Sequence, residues 1–328
     1  MKKILLASTA MVAFAGAAAA EVNIAGRAEV GVYSFGGSND QFFTDVDIDF
    51  DMVGEADNGM TFGASVDLDE ANSTFPANDD NGVNYFIAYG GARLDAGDVD
   101  GAFDAALSET NLVGGSINDD ETLHGGFEYE VFGQTFNLNN GLDGKGDGQV
   151  FTFSYSFDAF TGYLSMEQVN NGGDDSIYGI GAKYVASFAG ADMTFGLGYQ
   201  YSNNSSIGGF NDAEVLGGSV EAAFTNGFTV AANYTDVSFN GADTDGSYYS
   251  IGAGYEINAI GIGVNYGEYD FPNDDFDASG LGLAATYDFG GGLVAQFGYG
   301  TSDISDAAET AGSPYEDDHY SLGLSMAF

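Results

Sequence analysis

Cysteine is absent, so neither a disulfide framework nor a thiolate metal site can form. Tryptophan is absent too, and proline occurs only at Pro76, Pro272 and Pro314. Basic side chains are scarce: 6 Lys and Arg stand against 50 Asp and Glu, a formal charge of −44. Nucleic-acid binding, which needs a basic footprint, is thereby excluded as a function. Beyond the first twenty residues no apolar run approaches the ~20 residues of a membrane helix. Any residence in a membrane must therefore be through strands. Disorder is not the alternative, because 44% of the chain is apolar.

Residues 1–20 read as an export signal: Lys2 and Lys3, an apolar stretch from Ile4 to about Ala15, then Ala18-Ala19-Ala20. Cleavage is expected before Glu21, which leaves 21–328 as a single domain. The basic residues that remain are Arg27, Arg93, Lys145 and Lys183.

The rest of the chain alternates with a period of two, the signature of strands with one apolar face. Met193, Phe195, Leu197, Tyr199 and Tyr201 share a face, while Thr194, Gly196, Gly198 and Gln200 occupy the other. Val46, Ile48, Phe50 and Met52 alternate with Asp45, Asp47, Asp49 and Asp51. The same pattern runs through 62–69, 151–157, 281–289 and 293–299.

Short turns and long polar loops succeed one another. Turns fall near 55–59, 90–91, 158–160, 189–190, 226–227, 258–259 and 290–292. Loops fall near 36–41, 70–82, 99–148, 169–175, 203–212, 239–246, 271–278 and 303–317, and they hold all three prolines. These connections predict sixteen strands of about 9–13 residues, suited to a tilted membrane crossing. A bilayer offers no partner for an open strand edge, so the sheet must close into a barrel. The partial alternation at 122–138 (Leu123, Phe127, Tyr129, Val131) leaves eighteen strands as the alternative. A soluble all-β fold would carry Lys and Glu on its polar faces, where this chain has Gly, Ser, Asn and Asp.

The last strand places Tyr320, Leu322, Leu324, Met326 and Phe328 on one face. A terminal Phe after such alternation resembles the signal read by the bacterial barrel assembly machinery. The chain as a whole resembles the Gram-negative general porins, especially those of alphaproteobacteria. The resemblance is carried by residues 21–27 (Glu-Val-Asn-Ile-Ala-Gly-Arg), 58–65 (Asn-Gly-Met-Thr-Phe-Gly-Ala-Ser), Gly90 to Asp98, Gly141-Leu142-Asp143-Gly144, Gly148-Gln149-Val150 and Phe328. It implies an outer-membrane channel for passive diffusion of small hydrophilic solutes and ions. It also implies a homotrimer, lipopolysaccharide as a neighbour, and a third loop (99–148) folded into the pore.

In a barrel of this size the polar face lines water. Expected on the wall are Arg27, Glu29, Asp45, Asp47, Asp49, Asp51, Asp67, Asp69 and Lys183. The inward loop adds Asp98, Asp100, Asp104, Glu109, Asp119, Asp120 and Glu121. The family usually sets a basic wall cluster against acids on the loop. This chain departs from that, having Asp where Arg or Lys is common and only Arg27 and Lys183 as wall cations. Carboxylate rings favour cations, so weak cation selectivity is expected. No cofactor is required; Ca²⁺ is the ion that pore or loop carboxylates would hold.

Two other readings stand beside this one. A plugged or structural barrel, such as an adhesin, would need very long outer loops. A barrel hydrolase would need a nucleophile beside a base, and only His124 and His319 are present, neither in a serine motif. His124 is expected to line the pore and titrate near its ordinary value, and His319 to sit in a loop or girdle. Tyr33, Tyr163 and Tyr248 on lumen faces are too few for a sugar slide.

Overall fold

The computed structural model describes residues 21–34, 40–69, 82–117, 122, 124–127, 129–131, 134–136, 141–143, 149–168, 176–188, 190–203, 212–240, 245–271, 276–305 and 318–328. The export segment 1–20 and the loop acids Asp119, Asp120 and Glu121 lie outside them.

Sixteen antiparallel strands close a barrel. Its first part is β1 (Glu21–Ser34), β2 (Gln41–Glu55), β3 (Thr61–Asp69), β4 (Val83–Tyr89) and β5 (Ala92–Gly97). A long inward segment follows, with the short helix α1 (Ala102–Ala106) and two three-residue strands, β6 (Tyr129–Val131) and β7 (Gln134–Phe136). The barrel resumes with β8 (Val150–Phe157), β9 (Phe160–Gln168), β10 (Ser176–Phe188), β11 (Ala191–Ser202) and β12 (Asp212–Phe224). It ends with β13 (Phe228–Asn240), β14 (Gly246–Ile257), β15 (Ile260–Phe271), β16 (Phe276–Gly290), β17 (Leu293–Ile304) and β18 (His319–Ala327). Each barrel strand pairs with its neighbour in sequence, β5 pairs β8 across the long segment, and β18 returns to β1.

The eighteen-strand alternative is resolved by β6 and β7. The alternation near 129–136 does make strands, but they pair only with each other and stay out of the barrel. The expected strand length is corrected at β4 and β5, which have 7 and 6 residues, while β10–β17 have 12 to 15.

Short turns gather at one end of the barrel. In two of them Asp158 and Asn258 take positive φ (55° and 52°), which these side chains tolerate better than most. The outer face is apolar from end to end, with Leu197 66% exposed and Ile251, Ile262 and Leu164 likewise open. Aromatics ring it at both ends. Phe157, Phe160, Phe188, Tyr287 and Phe289 lie at the turn end. At the loop end tyrosine hydroxyls donate to carboxylates: Tyr266 to Glu268 (2.7 Å), Tyr299 to Asp318 (2.9 Å) and Tyr320 to Asp40 (2.6 Å). Such belts mark the two membrane interfaces.

Candidate functional site

The long segment after β5 lies against the inside of the wall. α1 packs on β9, β10 and β11. Further along, the Ser108 N–H donates to Ser219 Oγ on β12 (2.7 Å), and Ser116 Oγ meets Ser321 Oγ on β18 (3.0 Å). Ile117 then packs between Tyr33 of β1 and Phe43 of β2. The return limb binds β15 and β17, through His124 Nε2 and Asn265 Oδ1 (2.9 Å) and through the Gly125 N–H donating to Ser302 Oγ (2.8 Å). Tyr269 Oη donates to the Phe127 carbonyl (2.7 Å).

Backbone can approach a strand this closely only where the strand has no side chain. An ideal Cβ on Gly181 would collide with the Ala102 carbonyl oxygen, and one on Gly252 with that of Thr110. The polar-face glycines that alternate with apolar residues are thus a seat for the loop as well as a water-facing surface.

The loop contacts also fix which face points inward. Phe43 meets Ile117, so Asp45, Asp47, Asp49 and Asp51 face the lumen with it. In register beside them, Arg27 pairs with Asp47, Glu29 with Asp45, and Asp67 with Asp49. Asp69 pairs with Asp47 across the same strands. The expected acidic face is therefore assembled on β1, β2 and β3.

Arg27 and Glu29 need refinement. Glu29 faces inward but is buried, with 4% exposure, and its Oε1 lies 2.7 Å from Arg27 Nη2. Arg27 is thus engaged by a carboxylate of its own strand.

Asp98 lies at the root of the loop, its N–H donating to the Val83 carbonyl at 3.1 Å. Asp100, Asp104 and Glu109 meet Lys183 in a recess of about 560 Å³ between loop and wall. Glu221 and Glu256 join them there, acids the sequence reading overlooked although alternation with Val220 and Tyr255 marks them as inward.

A third wall cation was overlooked as well. Thr152 Oγ1 donates to the loop carbonyl of Asp100 (2.7 Å), so Asp95 and Arg93, in register on β5, face inward. Arg93 Nη2 lies 2.6 Å from Asp95 Oδ1, with its guanidinium 4.2 Å above the Phe86 ring. It too is matched by a neighbouring acid.

The histidine expectations are corrected. His124 is 1% exposed, sealed between loop and wall. Its Nδ1 accepts the Gly126 N–H (3.1 Å), so Nε2 carries the proton given to Asn265. Burial drives its pKa down to about 4, His319 adds to the fall, and the Asn265 hydrogen bond opposes it. His319 opens β18 on the inner face, also buried, on the same side as Ser321. Tyr33 and Tyr248 are inward but buried, so they form no sugar slide. Among the described residues no three His, Asp or Glu side chains are grouped to hold a metal ion.

Burial raises the Asp104 carboxyl to about 8, helped by Asp100, Asp143 and Glu109 and opposed by Lys183. A carboxyl raised from 3.8 binds its proton more tightly in the docked loop than in a free one. Its contribution to docking is complete at acid pH and is lost as pH rises through about 8. The same rise adds a negative charge to the lumen. Cation preference is therefore expected to increase from about pH 6 to about pH 9, where this carboxyl ionises. Zero-current potentials at several pH values test this, and Asp104→Asn should flatten the upper part of the profile. An unchanged profile in that variant would reassign the titration.

Comparison with known proteins gives a consistent picture. A family model described as Gram-negative porin matches residues 7–307. A porin of Rhodobacter capsulatus is 25% identical over 299 residues, covering 87% of this chain and 95% of that one. A porin of Fuscovulum blasticum is 23% identical over 265 residues, covering 77% and 84%. Among solved structures, a porin refined at 1.8 Å superposes with a TM-score of 0.71 at 23% identity, covering 94% of this chain and all of its own. A triple mutant of the Rhodopseudomonas blastica porin gives 0.64 at 17% identity with the same coverage. At these identities the structures speak for the fold.

Proposed function

Because the chain belongs to the Gram-negative porin family and resides in the outer membrane, we propose that its channel passes small hydrophilic solutes passively and prefers cations. The carrying observation is the aspartate ladder of β2 and β3 on the wall, facing a loop whose own charges are mostly acidic. Arg27 and Arg93 are each engaged by a carboxylate and set up no basic half of a transverse field. Calcium enters this reading only as one of the cations the wall attracts.

The described part of the loop lies along the wall, which favours an open passage over a plugged barrel. No catalytic role is part of this reading, and both histidines are buried. Residues 1–20 act as a cleaved export signal in this reading, and the β18 strand as the feature met by the assembly machinery.

A homotrimer accounts for the low side of the barrel. Six or seven residues at ~3.3 Å each, tilted by ~40°, rise under ~20 Å, short of the ~25 Å apolar band of such barrels. A neighbouring copy against β4 and β5 covers what lipid would leave mismatched. Lipopolysaccharide meets the remaining face, above the tyrosine belt.

Purified, folded protein in a planar bilayer under a KCl gradient tests the proposal. Stepwise conductance in multiples of three with a cation-selective zero-current potential is the expected result. Anion selectivity would overturn the charge reading, and a folded barrel without conductance would overturn the open pore.

A further inference from the structure

The two ends of the inward loop meet at Asp143, within the Gly141-Leu142-Asp143-Gly144 stretch. Asp143 Oδ2 accepts the Gly101 N–H at 2.8 Å, immediately before α1. Its Oδ1 accepts from Nε2 of Gln200, an inward side chain of β11. The same Gln200 turns its Oε1 to the Leu142 N–H (2.7 Å). Gln200 and Leu142 are both fully buried, as is Phe103 of α1, which packs with Leu142 in one apolar cluster.

Every polar atom of the Gln200 amide is thus directed at the return limb, and the carboxylate of that limb is directed at the outgoing one. The wall, the start of the loop and its end form a single hydrogen-bonded clasp between positions 42 apart in the chain. Without it, α1 would be held to the wall by the Phe103 cluster and by the Ala102 N–H donating to Ser165 Oγ (2.8 Å).

We propose that Asp143, acting with Gln200, is the positioning residue that sets the aperture of the channel, by clamping both ends of the constriction loop to β11. The proposal rests on the porin reading for its consequence but not for its geometry. Asp143 lies behind the loop and need not touch a solute. It acts through the placement of α1, and hence of Asp100 and Asp104 at the lumen.

The absence of cysteine permits a clean test. An ideal Cβ on Gly101 lies 2.7 Å from the Asp143 Cγ, so the pair Gly101→Cys with Asp143→Cys is within disulfide reach. Wild type, Asp143→Ala and the cysteine pair, oxidised and reduced, are reconstituted into liposomes. Swelling is measured with a monosaccharide, a disaccharide and a trisaccharide, and loop cleavage by an added protease is followed in the folded proteins. Asp143→Ala should remain a heat-modifiable barrel, admit the trisaccharide several-fold faster relative to the monosaccharide, and be cut faster. The oxidised pair should behave as wild type and the reduced pair as Asp143→Ala.

A purely structural contribution would not produce an aperture that follows the redox state of one covalent link. Equal swelling ratios and equal cleavage in the oxidised and reduced pair would overturn the proposal. If Asp143→Ala does not fold, the pair refolded under oxidation and then reduced still decides it. If wild type admits no sugar, the porin reading fails, and the protease comparison alone decides the clasp.

Discussion

Exchanging Asp47 and Asp49 for lysine should turn the channel from cation- to anion-preferring. Side chains on one face of a strand recur every two residues, ~7 Å apart. At that distance a unit charge in water contributes about 0.6 kcal/mol, a factor of about three in local ion concentration. Two reversals change the local charge by four units, which amounts to more than tenfold in the permeability ratio at low salt, where the Debye length is ~30 Å. The effect should shrink toward nothing at ~1 M salt, where screening acts within ~3 Å. Zero-current potentials across KCl gradients of rising mean concentration would show both features. If the double lysine variant keeps the wild-type potential, the ladder is not the filter and the recess around Lys183 is.

The ladder also has a structural price. Asp49 stands opposite Asp67, and like charges directly across a strand pair repel. Asp49→Asn should therefore weaken selectivity while raising the melting temperature. Acids kept at some cost to stability belong to function more readily than to packing.

Valine in place of Gly181 and Gly252 should cut single-channel conductance to about half or less and add flicker, for steric reasons. The new Cβ atoms occupy the positions of the Ala102 and Thr110 carbonyl oxygens, so the loop must lift into the lumen. Overpacking of this kind costs about 1–3 kcal/mol per site. Valine suits strands, so the barrel itself should still form. Gly218→Val is the control. Gly218 lies on the outer face of β12, where the nearest atom to its Cβ is Leu197 Cδ2 at 3.2 Å. Its conductance should match wild type. Equal conductance in the Gly181/Gly252 variant would mean that the loop does not rest on these strands in the membrane.

Strand alternation made the barrel legible before any coordinates, because a wall between lipid and water imposes opposite demands on successive residues. The same rule puts Asp45, Asp47, Asp49 and Lys183 on the polar face, the face on which the structure has them. It failed where the rule does not operate. His124 belongs to a loop, where neighbour spacing says nothing about which surface will cover it, and so its burial against Asn265 was invisible. Arg93 lies in a strand of 6 residues, too brief for its pattern to stand out, although Ala92, Leu94 and Ala96 around it are the outward set. The seven-residue β4 looked ordinary because sequence shows where alternation occurs and not how tall the wall must be. Asp143 carried a recognisable motif, but its partners are 42 and 57 positions away, beyond any local pattern.

The seam of the barrel has a kinetic consequence. Fifteen of the sixteen strand junctions join neighbours along the barrel chain, whereas the last one joins Arg27 to Ala327 and Ser34 to Tyr320. Loop-closure entropy grows as (3/2)RT ln n, so bringing ends ~300 residues apart together costs about 3 kcal/mol more than closing a hairpin ~13 residues long. Contact order is therefore concentrated in one junction, and it is the one without which two strand edges keep their amides and carbonyls unpaired. Any variant that delays the meeting of β1 and β18 prolongs an aggregation-prone open sheet, even if the finished barrel is no less stable.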